Sequence, residues 1–229
     1  MIDPDAPLPS SIVFDLDGTL VDTAPDLCTA LNHVLEREGR AAVSPDELRH
    51  MVGHGARVLI IKGMAATGAP ATAEDLDRLL PMFLEYYGAH VADQSKPFDG
   101  VLPLLQGLRD RGTRLAICTN KPEALAIKLL DGLGLSRHFG AILGGDSLPV
   151  RKPDPAPLIE SIRRLAGSAD KALMVGDSRT DVETARAARV PVLCVSFGYT
   201  DCPVEDLYPD AVIDHFNEFG DALKRLGTG

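Results

Sequence analysis

Residues 11–23 read S-I-V-F-D-L-D-G-T-L-V-D-T, an apolar run that ends in two aspartates one residue apart. A buried carboxylate is costly unless it is paired, hydrogen-bonded or bound to metal, and two side by side repel. Asp15 and Asp17 therefore mark a point where a chemical purpose offsets that cost. Reactive groups recur at Thr119-Asn120, at Lys152, and at Gly176-Asp177-Ser178 with Asp181 four residues beyond Asp177. A hydroxyl, an ammonium and several carboxylates in one place suit a phosphate group together with a divalent cation. Mg²⁺ takes one or two carboxylates, waters and phosphate oxygen, and a cation makes crowded aspartates tolerable.

Strands must bring these groups together. From about residue 97 onward, short and nearly continuous apolar runs alternate with helix patterns: 114–119, 141–144, 172–175, 191–195 and 211–213. Such runs suit parallel strands covered on both faces. Between them, Leu102, Leu105 and Leu108 are read as one helix face. Leu125, Leu129 and Leu130 follow Pro122 at a first helical position, and Leu158, Ile159, Ile162 and Leu165 follow Pro157. The repeat of strand, helix and strand predicts an α/β fold, a doubly wound, Rossmann-like parallel sheet with right-handed crossovers. In open sheets of this kind ligands bind beyond the carboxyl ends of the strands. The four reactive segments all fall there.

Residues 22–95 interrupt the alternation with helix signals alone. Thr23-Ala24-Pro25-Asp26 opens a helix carrying Leu27, Leu31, Val34 and Leu35, with Gly39 as its stop. Ser44 with Glu47, and Thr72 with Asp75, form capping boxes. Pro81 predicts a kink or break in the helix that starts near Thr72. The expected organisation is an α/β core of residues 1–21 and 96–229, with an all-helical cap, residues 22–95, inserted after the first strand.

The net charge of −10 in 229 residues argues against nucleic acid or an anionic membrane as partner. An anionic ligand would then need a local field opposed to the global one. Cys28, Cys118, Cys194 and Cys202 show no C-x-x-C spacing, and free thiols in a reducing compartment are expected. The N-terminus, M-I-D-P-D-A-P-L-P-S, lacks the basic and apolar regions of a signal peptide, and no apolar run reaches membrane-spanning length. A cytoplasmic location is expected.

Each motif alone has an ordinary explanation. A D-x-D pair is common in turns, Lys152 could be a solvated loop lysine, and Asp177 a helix cap. Together and in this order, D-L-D-G-T (15–19), C-T-N (118–120), R-K-P (151–153) and G-D-S-R-T-D (176–181) resemble the haloacid dehalogenase-like superfamily of phosphatases, over nearly the whole chain. Wider stretches, among them D-T-A-P-D-L (22–27), V-G-H-G-A (52–56), C-T-N-K-P (118–122) and F-G-Y (197–199), look closer to its phosphoglycolate phosphatases. True dehalogenases of the superfamily lack the second aspartate, so Asp17 disfavours dehalogenation. Nothing around Lys62 suggests the imine-forming lysine of phosphonatase-type members.

The resemblance implies a two-step displacement, with Asp15 as nucleophile and Asp17 as general acid and then base. It also implies Mg²⁺ held by the Asp15 carboxylate, the Asp17 backbone carbonyl and Asp177, with Asp181 orienting a metal-bound water. Lys152 would pair with nucleophile and phosphate, while Thr119, the Asn120 N–H and Gly18 would bind phosphoryl oxygens. In the cap, Gly53-His54-Gly55-Ala56-Arg57 sits at a helix start that attracts anions. There Gly55, His54 and Arg57 are candidates to meet the leaving group, Arg57 through a bidentate contact. The expected substrate is a small phosphate ester, 2-phosphoglycolate ahead of hexose phosphates. Alternatives are a sugar-phosphate, nucleotide or pyrophosphate phosphatase, a phosphomutase, and, on a weaker footing, a phosphate-binding module.

Overall fold

The computed structural model describes residues 8–200 and 202–227, so the acidic N-terminal stretch and the chain end of the expected core lie outside the described residues. In chain order the strands are β1 (Ser11–Phe14), β2 (Val21–Asp22), β3 (Lys96–Pro97), β4 (Arg114–Cys118), β5 (Ala141–Leu143), β6 (Ala172–Gly176), β7 (Val192–Val195) and β8 (Ala211–Ile213). The helices are α1 (Ala24–Arg37), α2 (Pro45–Arg49), α3 (Ala56–Ala66), α4 (Ala73–Ala89), α5 (Val101–Asp110), α6 (Glu123–Gly132), α7 (Ala156–Arg164), α8 (Arg179–Ala188) and α9 (Phe219–Leu226).

Six strands form one sheet in the order β5-β4-β1-β6-β7-β8, every pair parallel. Alternate residues of each strand enter different cores, as the two-residue strand period requires. Ile12, Phe14, Leu115, Ile117, Leu173 and Val175 pack with residues of α5, α6 and α9. Val13, Ala116, Cys118, Met174 and Cys194 pack with residues of α7 and α8. The chain leaves β1 in one direction through β4 and β5, then returns to β6 on its other side. Strand order therefore reverses at β1, which makes the carboxyl end of β1 the crevice of the sheet.

Four helices, α1 to α4, lie between β2 and β3, and their buried residues continue the core on the α5, α6 and α9 face. Both expected capping boxes form: Glu47 Oε2 accepts from Ser44 N at 2.7 Å, and Asp75 Oδ2 from Thr72 N at 2.9 Å.

Some sequence expectations need correction. Pro81 does not break α4, which continues to Ala89. Leu76, Leu79, Phe83 and Tyr87 are buried on its core side, and Pro81 itself is exposed. The apolar face of α5 is Val101, Leu104, Leu105 and Leu108, while Leu102 points outward. Ile159 is likewise exposed on α7, because Leu158 and Ile162 already fill the inward stripe. The strands β2 and β3 also went unread. They pair antiparallel, Val21 opposite Pro97 and Asp22 opposite Lys96, and two-residue strands are too short to show a period.

A second tie holds the same two linkers. The buried Asp26 carboxylate, at the start of α1, accepts from Gln94 N at 3.0 Å, Ser95 N at 2.8 Å and Ser95 Oγ at 2.6 Å.

Candidate active site

Backbone bonds beyond the strand ends fix where the reactive side chains begin. Asp15 N donates to Val175 O at 2.8 Å, and Thr119 N to Leu143 O at 3.0 Å, so each residue extends its ladder into the crevice. Asp15 is buried, and its Oδ1 receives no well-angled hydrogen bond. The nearest cation is the Lys152 ammonium, 3.0 Å from that oxygen. Lys152 Nζ also donates to Asp181 Oδ1 at 2.6 Å. The other Asp181 oxygen accepts from Ser178 N at 3.1 Å and Ser178 Oγ at 2.7 Å. Asp181 thus uses one oxygen on the α8 N-terminus and the other on the lysine.

Asp177 is held from two sides. Its Oδ1 accepts from Thr19 Oγ1 at 2.7 Å and its Oδ2 from Tyr199 N at 2.6 Å. Tyr199 OH in turn bonds Asp22 and accepts from Ala24 N, at the entry to α1. The turn after β1 fits tightly beneath this tyrosine. Gly18 has φ +83°, and a Cβ there would lie 2.6 Å from Asp177 Oδ2 and 2.8 Å from the Tyr199 ring. A side chain has no room at that position.

Burial dominates the electrostatics. It pushes Asp15 up to about 6, with Lys152 opposing the shift and Asp181 and Asp17 adding to it. Burial also raises Asp177, helped by repulsion from Asp181 and Asp15. For Lys152 burial works against the charge, but Asp15 and Asp181 outweigh it and hold the ammonium above the ordinary lysine value. Burial raises the Cys118 thiol to about 12, so it stays protonated as a core side chain.

The same features suit a divalent cation. One oxygen each of Asp15, Asp177 and Asp181 lies within 4.8 Å of the others, and the buried Asp15 Oδ1 has the Lys152 ammonium at 3.0 Å beside it but no well-angled hydrogen bond. A hard cation with oxygen ligands would satisfy that oxygen and relieve the repulsion that raises both carboxylates.

Asp17 stands apart from this triad. Its oxygens accept from Lys121 Nζ at 2.9 and 3.2 Å. Lys121 also donates to Tyr87 OH at 2.7 Å and lies 4.5 Å from the centre of that ring. The Thr119 hydroxyl accepts from Lys121 N at 3.2 Å, which leaves its own hydrogen to donate. The Asn120 amide donates to Lys152 O at 3.1 Å and reaches Gly53 O at 3.4 Å.

Asp15, Asp17, Thr119 and Asn120 open on a cleft covered by α3 and α4, with Gly55, Leu59, Phe83 and Tyr87 in its wall. Of the cap candidates, Gly55 lines the cleft and precedes α3 with φ +83°. His54 is exposed, with Nδ1 3.4 Å from Thr180 Oγ1 across a neighbouring hollow. Arg57 is exposed on α3 and is absent from the cleft wall. The sequence reading overlooked Lys121, although it stands in the C-T-N-K-P stretch. It also missed Thr19 and the tyrosines, since Tyr87 looks like an ordinary core residue one turn beyond Phe83.

Residues 12–195 match the family described as haloacid dehalogenase-like hydrolase. A phosphoglycolate phosphatase of Mesorhizobium japonicum is 50% identical, the match covering 90% of this chain and 91% of that one. One from Caulobacter vibrioides is 46% identical, over 96% and 92%. The crystal structure of a predicted phosphoglycolate phosphatase from Haemophilus somnus superposes with a TM-score of 0.86 at 31% identity, covering 92% of this chain and 96% of that one.

Proposed function

The chain belongs to the haloacid dehalogenase-like hydrolase family, and on that footing we propose that it is a Mg²⁺-dependent phosphatase converting 2-phosphoglycolate to glycolate and phosphate. The observation that carries this is the pairing of two carboxylates with different surroundings in one cleft. Asp15 stands against Lys152 and the acidic triad, and Asp17 stands against Lys121 on the side facing α4. The relatives named above supply the substrate. The mostly apolar wall, with Leu27, Leu59, Phe83 and Leu125, offers a polyhydroxylated sugar few partners.

In this reading residues 22–95 are the cap and the remainder the catalytic core. The Asp15 carboxylate attacks phosphorus and the bond to the ester oxygen breaks. Asp17 gives its proton to the departing alkoxide. Its carboxylate then takes a proton from water, and the resulting hydroxide displaces Asp15 and releases phosphate. Lys152 offsets the repulsion between nucleophile and phosphate, while the Thr119 hydroxyl and the Asn120 N–H hold phosphoryl oxygens. When bound by Asp15, the Asp17 carbonyl and Asp177, Mg²⁺ supplies further positive charge at the phosphoryl oxygens. Asp181 keeps Lys152 in place and would support the cation from outside its direct ligands by orienting a water. These local cations answer the net negative charge. Four free cysteines, three of them buried, support a reducing cytoplasm as the setting.

The test is phosphate release from 2-phosphoglycolate with Mg²⁺ and with chelator, in wild type and in Asp15→Asn and Asp17→Asn. Asp15→Asn should abolish turnover in a folded protein. With an aryl phosphate, Asp17→Asn should accumulate phosphoenzyme, because a good leaving group needs little protonation while hydrolysis still needs the base. Activity of Asp15→Asn within tenfold of wild type, or full activity after metal removal, would refute the mechanism.

A further inference from the structure

We propose that Lys121 is the specificity residue of this cleft: its buried ammonium reads a carboxylate on the leaving group of the substrate. The inference rests on the phosphatase reading above and names what that reading leaves open, the group that recognises the non-reacting end. Among the described residues lining the cleft, Lys121 is the one cation. Its side chain is 3% exposed, and burying an ammonium this deeply is costly unless an anion stays beside it. In the free enzyme that anion is Asp17, whose two oxygens both lie within 3.2 Å of Nζ. The geometry is already that of an ammonium binding a carboxylate.

Position makes the same point. A general acid sits about 2.6–3.2 Å from the oxygen it protonates, and Lys121 Nζ is 2.9 Å from Asp17 Oδ1. The ammonium therefore stands within roughly 6 Å of the leaving oxygen, a gap that a carboxylate one carbon beyond that oxygen can span. Tyr87 completes the site. Its hydroxyl accepts from Lys121 at 2.7 Å and keeps its own hydrogen to donate. Because Tyr87 belongs to α4 and Lys121 to the loop after β4, the carboxylate would be gripped from both sides of the cleft. On binding, one Lys121 N–H turns from Asp17 to the substrate. That gives the ammonium the substrate carboxylate as its anionic partner, and Asp17, freed of part of its ion pair, can take up from solvent the proton that it gives to the leaving oxygen.

The experiment compares kcat/KM for 2-phosphoglycolate with that for ethyl phosphate, which matches it but lacks the carboxylate. Wild type should prefer 2-phosphoglycolate, and Lys121→Gln should lower that preference about 10- to 100-fold, the range for a hydrogen bond to a charged group. Lys121→Arg, which keeps a cation, should retain most of it. A general loss of packing would depress both substrates alike and leave the ratio unchanged. A folded Lys121→Gln with the wild-type ratio would overturn the inference while leaving 2-phosphoglycolate as substrate. Wild type that treats the two esters equally would overturn the substrate reading itself. Inhibition of the wild-type enzyme needs no variant. Glycolate should inhibit at least about tenfold more strongly than ethylene glycol, and equal inhibition would also overturn the proposal.

Discussion

Lys152 and Asp181, both buried, meet at 2.6 Å. The contact fixes the lysine whose ammonium also faces Asp15, so a residue in the first turn of α8 sets the charge opposite that carboxylate. Removing Asp181 leaves Lys152 with Asp15 as its remaining anionic partner and takes the acceptor from the Ser178 N–H and hydroxyl, at about 1–3 kcal/mol for donors left unsatisfied. Asp181→Ala should lose that much stability, free the α8 N-terminus of its acceptor, and lower kcat at least about tenfold. Thermal unfolding and steady-state phosphate release on the same preparation check this; wild-type values for both would contradict it.

In metal-free protein the stability contributed by Asp15 should fall as pH rises from 4 towards 6. Burial first, and then repulsion from Asp181 and Asp17, carry Asp15 from 3.8 to about 6 despite Lys152. Across that window the native state holds a proton on Asp15 that the unfolded state has lost, so the Asp15 contribution to stability is fullest below 3.8 and declines through 6. A shift of this size corresponds to on the order of 3 kcal/mol. Asp177 shifts in the same direction. The proposed Mg²⁺ site requires the ionised carboxylates, so Mg²⁺ should raise Tm far more at pH 7.5 than at pH 5. Melting curves in chelator and in Mg²⁺ at both values decide it, and equal metal effects at the two would count against these carboxylates as ligands.

Gly18→Ala should damage the metal site more than the fold. The left-handed backbone costs an alanine about 1–2 kcal/mol, and its Cβ would press on Asp177 Oδ2 and Tyr199. The expected result is a fall in Tm of at least several degrees, at about 2–4 °C per kcal/mol, with weaker Mg²⁺ binding measured by calorimetric titration. Unchanged Mg²⁺ affinity would show that the turn yields without moving Asp177.

Pro81→Ala should stabilise the protein. An interior proline lacks the N–H that would bond back one turn and costs a helix up to about 3 kcal/mol relative to alanine. Pro81 is exposed within an unbroken α4, so the change removes that cost without opening a cavity. At about 2–4 °C per kcal/mol for a chain of this size, Tm should rise by several degrees. A fall would mean that α4 depends on the shape proline imposes.

The sheet and the four motifs were legible in the sequence because their signals are local. Short unbroken apolar runs such as Leu173-Met174-Val175, alternating with helix patterns, suit strands covered on both faces, and parallel strands put all their carboxyl ends on one edge. Asp15, Thr119, Lys152 and Asp177 could be placed together from that alone, as could both capping boxes. Which residues complete the site depended on tertiary structure, since no periodicity relates groups that meet from separate elements. Lys121 reaches Asp17 across 104 positions and Tyr87 across 34, and Tyr199 reaches Asp177 across 22. Each is an ordinary residue in its own segment. Packing also settled the outward turn of Leu102 and the continuity of α4 through Pro81, where burial on the opposite face outweighs a local penalty. It likewise left Arg57 outside the cleft and placed Lys121 within it.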